Sequence, residues 1–108
     1  MIEKSTLYDI TRDVLHNCDI VEVISSRIKV IHAGRNYKAL CPFHNDNNPS
    51  LMISKEKQIF TCFVCGTSGN AITFIQKYDK ISYIDALKEV CKISGYYDSR
   101  LDNFNNVR

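Results

Sequence analysis

The chain has 108 residues, 44% of them hydrophobic and 24% charged, and a formal net charge of +2. That length suits one domain with a modest core, the composition is that of a globular protein, and no run of about 18 apolar residues offers a membrane span. The start, Met1-Ile2-Glu3-Lys4-Ser5, lacks the charged-then-apolar layout of an export signal, so the expected setting is reducing and cytoplasmic. Five cysteines, an odd number, read there as metal ligands or buried thiols rather than as a disulfide framework.

In chain order, residues 5–16 read as a helix, with Leu7, Ile10 and Val14 at i, i+3 and i+7. Asp19 with Glu22 has the form of a capping box and opens a short helix through about Ser25. Residues 28–32 and 37–41 are strand-like, joined by a turn at Ala33-Gly34-Arg35-Asn36. A polar loop, 45–49, follows. Residues 51–54 and 58–62 form a second hairpin through Lys55-Glu56-Lys57. The segment 66–70 breaks the pattern, and Ala71, Phe74, Ile75 and Tyr78 then mark an amphipathic helix. Ser82 and Asp85 cap a last helix whose apolar face is Ile84, Leu87, Val90 and Cys91, and Gly95 ends it. Residues 98–108 turn polar and read as a linker or disordered tail, leaving a domain over 1–97. The fold class is α+β: a zinc ribbon over 28–70 with a small antiparallel sheet, flanked by short helices over 5–25 and 70–94.

The chemistry lies in Cys41-x2-His44, seventeen residues, and Cys62-x2-Cys65. Two close ligand pairs at that separation are what a zinc ribbon needs, one knuckle per pair. Three thiolates and an imidazole suit one zinc ion, and four protein ligands leave no open position, so the metal is structural. A redox reading of Cys62–Cys65 alone finds no βαβ pattern around it and leaves Cys41 and His44 idle. Cys18 and Cys91 read as small hydrophobes on apolar helix faces, His16 and His32 as ordinary polar residues, and Phe43, Phe63 and Phe74 as core or knuckle packing.

Charge concentrates on the same region. Residues 27–80 carry +5 and the rest of the chain −3, which points to a polyanionic partner. Single strands are held by basic grooves with aromatic faces on which bases stack. Arg35, Tyr37, Lys38, Lys55, Lys57 and Phe60 are the candidate nucleic-acid contacts, with core packing as the competing role for Phe60. Tyr37 and Lys38, being adjacent, face opposite sides of their strand.

The stretches Asp19-Ile20-Val21-Glu22-Val23-Ile24, Gly34-Arg35-Asn36-Tyr37-Lys38-Ala39-Leu40-Cys41-Pro42-Phe43-His44, Asn48-Pro49-Ser50 and Phe60-Thr61-Cys62-Phe63-Val64-Cys65-Gly66, with Gly69 before a helix carrying Phe74, resemble bacterial DnaG-type DNA primases. The resemblance runs from about Asp9 to Gly95. It departs from the family pattern in the loop Asn45-Asp46-Asn47-Asn48, which lacks a common lysine, at Leu51 in place of Phe, and at Val64 in place of Gly. It implies the N-terminal zinc-binding domain of such an enzyme, which engages single-stranded DNA template and assists a polymerase domain, in the same or a neighbouring chain, in making an RNA primer. The implied setting is the bacterial cytoplasm, associated with the nucleoid. A replicative helicase would be met only through other parts of the primase, and no membrane is involved.

No D-x-D pair occurs in the 108 residues, so no catalytic residues are expected here. The chain reads as the N-terminal piece of a primase, with a stand-alone relative as the other possibility. Two other function classes compete. A zinc hydrolase or deaminase needs an open zinc or an H-x-E pair beside P-C-x-x-C, and neither is present. A zinc ribbon that docks on or regulates the polymerase domain fits the same basic surface and is separated from a template reader by a strand-binding assay.

Overall fold

A computed structural model describes residues 4–45 and 47–104. Four α-helices, α1 (Lys4–His16), α2 (Ile20–Ser25), α3 (Ala71–Asp79) and α4 (Tyr83–Ser94), accompany five strands, β1 (Ile31–Ala33), β2 (Asn36–Ala39), β3 (Leu51–Ser54), β4 (Ile59–Cys62) and β5 (Ser68–Gly69). The strands form one antiparallel sheet in the order β1-β2-β3-β4-β5. This is the expected α+β ribbon with helices at both ends. No described helix is long and apolar enough to cross a membrane.

Local chemistry accounts for the helix ends. Asp19 caps α2 by accepting from the Val21 amide at 3.0 Å. The Ile20 amide, at the first helical position, is taken by Gln58 Oε1 at 2.7 Å, from the far tip of the β3–β4 hairpin, so a long-range contact satisfies one of the open donors of the first turn. Asn70 and Ser82 cap α3 and α4 through the amides of Thr73 and Asp85. Gly95, at φ 72°, ends α4 in the left-handed conformation expected of a C-terminal glycine.

The first strand begins later than the 28–32 span expected. The amides of Arg27 and Ile28 still bond back to Ile24 O at 3.0 Å, so the helical turn outlasts the β-branched sequence signal. Gly34, at φ 65°, opens the two-residue link between paired Ala33 and Asn36. Strand β5 has no counterpart in the sequence pattern. Its two residues pair with Phe60 and Thr61, too short a run to leave a periodic trace.

The sheet divides its residues by the pleat. Ala39, Leu51, Ile53, Phe60 and Cys62 are all buried on the helix side, where Ile72, Phe74, Ile75, Leu87 and Val90 complete the core. Phe60 and Phe74 meet edge to face at 5.5 Å, and Phe43 joins Phe74 at the same distance. The alternate residues, Lys38, Met52 and Thr61, are cross-strand partners on the other face and keep access to solvent, as does Ile59. Arg27 ties the helices together, reaching both Asp79 and Glu89 at 2.8 Å.

The segment read as a tail is partly folded. Residues Ser99–Phe104 form a 3₁₀ helix, Leu101 is buried in the core, and Arg100 bridges Asp98 and Asp13 at 2.6 and 2.7 Å. Asp98 is buried against the Arg100 guanidinium, a pairing invisible to composition. Residues 105–108 lie outside the described set.

Candidate metal centre and nucleic-acid interface

Two knuckles bring the ligands together. Cys41 follows β2 where the chain turns off the sheet, and Cys62 ends β4, so the pairing of β3 with both strands sets them side by side. Beyond Cys62, the Gly66 amide returns to Cys62 O at 3.0 Å and the Cys62 amide bonds Thr67 O at 2.8 Å. Gly66, at φ 79°, makes the bend that folds Cys65 back towards Cys62.

The ligand atoms of Cys41, His44, Cys62 and Cys65 all lie within 4.8 Å of one another. A tetrahedral site with zinc–sulfur bonds of about 2.3 Å implies sulfur–sulfur edges of about 3.8 Å. Cys41 Sγ and Cys65 Sγ are 3.8 Å apart, and His44 Nε2 is 3.3 Å from Cys62 Sγ. His44 Nδ1 lies 3.2 Å from the carbonyl of Asn45. A carbonyl only accepts, so Nδ1 carries the proton and Nε2 keeps its lone pair for the metal. The residues fit one structural zinc with no coordination position left over.

The sulfurs are prepared for that ion. Cys62 receives the amides of Val64 and Cys65, both at 3.4 Å, and lies 3.3 Å from the Ser50 hydroxyl. Burial opposes its ionisation, but these hydrogen bonds together with His44 hold its pKa well below the usual thiol range. Burial and the neighbouring sulfurs push Cys41 up instead. Zinc takes cysteines as thiolates, so its binding releases the protons that the free cluster holds. Thr67 Oγ1 lies 3.2 Å from Cys65 Sγ. The other two cysteines lie outside the cluster. Burial raises both to about 11. Cys18, expected on a helix face, lies between α1 and α2.

The six candidate nucleic-acid contacts do not share one surface. Phe60 is fully buried against Phe43 and Phe74, so the proposed base contact is corrected to core packing. Tyr37 is half-buried on the helix side, stacked on His32 at 4.8 Å. Lys55 is ion-paired with Asp19 and so tethers the hairpin tip to α2. Lys38 lies on the open face, and Arg35 and Lys57 border a cavity there with Met52 and Thr61. Glu56 is the acidic member of that cavity. Among the described residues no carboxylate forms an ion pair with Arg35, Lys38 or Lys57.

One aromatic residue is newly in play. Phe63, expected to pack the knuckle, is 75% exposed and borders the Arg35–Lys57 cavity. Alternation along β4, carried one residue past Cys62, puts Phe63 on the side of Thr61 and opposite Phe60, and its exposure follows that count.

A family model described as CHC2 zinc finger matches residues 6–105. DNA primase of Haemophilus influenzae is 44% identical over 94 residues, covering 84% of this chain and 16% of that protein. DNA primase of Pasteurella multocida is 46% identical over 83 residues, 77% of this chain and 14% of that one. The crystal structure of the zinc-binding and RNA polymerase domains of Aquifex aeolicus primase superposes with a TM-score of 0.76 and 43% identity, covering 85% of this chain and 23% of that one. The chain therefore spans well under a quarter of the length of these two curated relatives.

Proposed function

Because the chain belongs to the CHC2 zinc finger family, the zinc-binding domain of bacterial DnaG-type DNA primases, we propose that it reads single-stranded DNA template and so assists RNA primer synthesis by a polymerase domain. The observation that carries this reading is the open sheet face, where Arg35, Lys38 and Lys57 lack carboxylate partners among the described residues and Phe63 stands exposed beside them. Cations without internal partners attract phosphates, and an exposed ring gives a base a surface to stack on.

In this reading the zinc holds the two knuckles at fixed spacing, which keeps Phe63 and the β2–β3–β4 surface in one rigid unit. Lys38 and Arg35 meet backbone phosphates, Phe63 stacks on a base, and Lys57 extends the basic track along the β3–β4 hairpin. Tyr37 and Lys55, directed to the helix side or already paired, support the sheet and are not template contacts. Primer chemistry itself belongs to the polymerase domain, in the same or a neighbouring chain, and this domain contributes no catalytic residue.

Fluorescence anisotropy of labelled single-stranded DNA with the zinc-loaded chain, at two salt concentrations and with duplex competitor, tests the proposal. Salt-sensitive binding that resists duplex competition supports it. Failure to bind at high protein concentration, with zinc in place, leaves docking on the polymerase domain as the better reading.

A further inference from the structure

A second cavity, about 700 Å³ in volume, opens between the β1–β2 hairpin and the first zinc knuckle. Its walls are apolar, from Ile28, Leu40, Pro42 and Pro49. Leu40 is half exposed, although it adjoins a buried zinc ligand. Lys29 and Lys38 stand among these walls, and neither pairs with a described carboxylate. Asn45 supplies an amide, both donor and acceptor. His44 also borders the space, its Nε2 turned to the sulfur cluster.

Volumes of roughly 300–1,000 Å³, with apolar walls and a few polar groups, are those of sites for small organic groups. Two cations without carboxylate partners beside such walls fit a group that is apolar in its body and anionic on its flanks. The cavity also adjoins the open face, since Lys38 borders it and Met52, the cross-strand partner of Lys38, borders the Arg35–Lys57 cavity. A single strand crossing the sheet over Phe63 thus reaches this opening within the same surface.

We propose that this cavity is a nucleobase pocket, taking one unstacked base of the template between Leu40 and the two prolines, with the flanking phosphates on Lys29 and Lys38 and the base edge on Asn45. The inference rests on template reading as the function and adds to it the place where one position of the strand is distinguished from its neighbours. The zinc site contributes by fixing His44 and the knuckle that forms one wall.

The test is an abasic scan. Labelled single strands, each lacking one base in turn, are titrated with the zinc-loaded chain and with Leu40→Asp, Lys29→Ala and Asn45→Ala. One abasic position should weaken wild-type binding about tenfold, in the range of a single base contact. Leu40→Asp should weaken the intact strand to a similar degree and erase the difference between it and that abasic strand. Lys29→Ala should weaken both strands alike.

A flat abasic profile in a chain that binds single strands overturns the pocket and leaves the function standing. The pocket is likewise overturned if Leu40→Asp, with normal zinc content and melting, keeps the full abasic sensitivity. Should Leu40→Asp shed zinc, Asn45→Ala decides on the same criterion. Absence of strand binding by the wild type overturns both the function and the pocket.

Discussion

Phe60 and Phe63, three positions apart, end in opposite environments: Phe60 has no exposed surface, and Phe63 is 75% exposed. The boundary between them is Cys62, where β4 stops and the second knuckle begins. Their substitutions should therefore separate cleanly. Phe63→Ala should leave melting unchanged and weaken single-strand binding by about 1–3 kcal/mol, the worth of one stacked base. Phe60→Ala should destabilise the fold by about 3–5 kcal/mol, as aromatic truncations in cores do. Anisotropy titration beside thermal melting checks both. Undiminished strand affinity in Phe63→Ala sinks the stacking role.

The cations of the open face give a second expectation. Each phosphate neutralised on a single strand contributes a slope of about −0.7 to the dependence of log affinity on log salt. Arg35→Ala with Lys38→Ala should therefore flatten that slope by up to about 1.4 units. Lys55→Ala, which breaks the pair with Asp19, should leave the slope where it is. Titrations across a salt series measure this directly, and an equal flattening by Lys55→Ala would place the strand on the other side of the sheet.

Much of the site is legible in the residues alone. Ligand spacing states which atoms must converge, because a tetrahedral ion tolerates few arrangements of two short knuckles. The helices are readable because the 3.6-residue pattern of Ala71, Phe74, Ile75 and Tyr78 is long enough to be distinctive. What escapes detection is set by contacts distant in sequence. The Gln58 side chain reaches the α2 amide across 38 positions, and Arg100 reaches Asp13 across 87. Strand β5 exists because β4 offers it an edge. The side taken by Lys55 likewise depends on its partner Asp19, which a charge count does not reveal.

Zinc removal should dismantle the ribbon before it dismantles the helices. The apolar contacts of Ile72, Phe74 and Leu87 lie on α3 and α4, whereas the ligands Cys41 and Cys62 are buried at the sheet side of that core, and the two knuckles depend on the ion to keep their like-charged thiolates together. Structural zinc in small peptides carries on the order of 10 kcal/mol of apparent folding free energy. Chelation should therefore abolish cooperative melting of the strands, lose strand binding, and retain most helical circular dichroism. Cys65→Ser, at the exposed ligand, should behave as a weaker form of the same change. Cooperative melting that survives full zinc removal would show that the apolar core alone orders the ribbon.

Gly69 marks another tight point. A Cβ placed there would lie 2.6 Å from Thr73 Cβ, in the first turn of α3. Thr73 has little room to yield, because its hydroxyl and amide both address Asn70 Oδ1. Gly69→Ala should thus cost about 1–3 kcal/mol, typical of overpacking. Thr73→Ser, which removes the crowding methyl, should recover part of that loss, although the remaining Cβ and hydroxyl still lie within reach of the new side chain. Thermal melts of the single and double variants check this. Additive losses would show that the strain lies in the backbone of β5 and not in its contact with α3.

The 3₁₀ helix at the end of the described chain is held by Arg100, whose guanidinium addresses Asp98 and Asp13 together. The Arg100 hydrogen bond lowers the pKa of both carboxyls from the ordinary value of 3.8. Groups depressed on folding stabilise the native state fully above their unfolded pKa and lose that contribution as pH falls through the folded value. The clamp should therefore act at full strength at neutral pH and fade below about pH 4. Zinc is also lost in acid, so total stability does not isolate the clamp. Hydrogen exchange at the amide of Leu101, which bonds to Asp98 O, reports on it locally. Arg100→Gln should exchange faster there than wild type at about pH 6, and the two should converge as pH drops below about 4. A gap between them that persists in acid would mean that Leu101 packing, and not the ion pairs, holds the segment down.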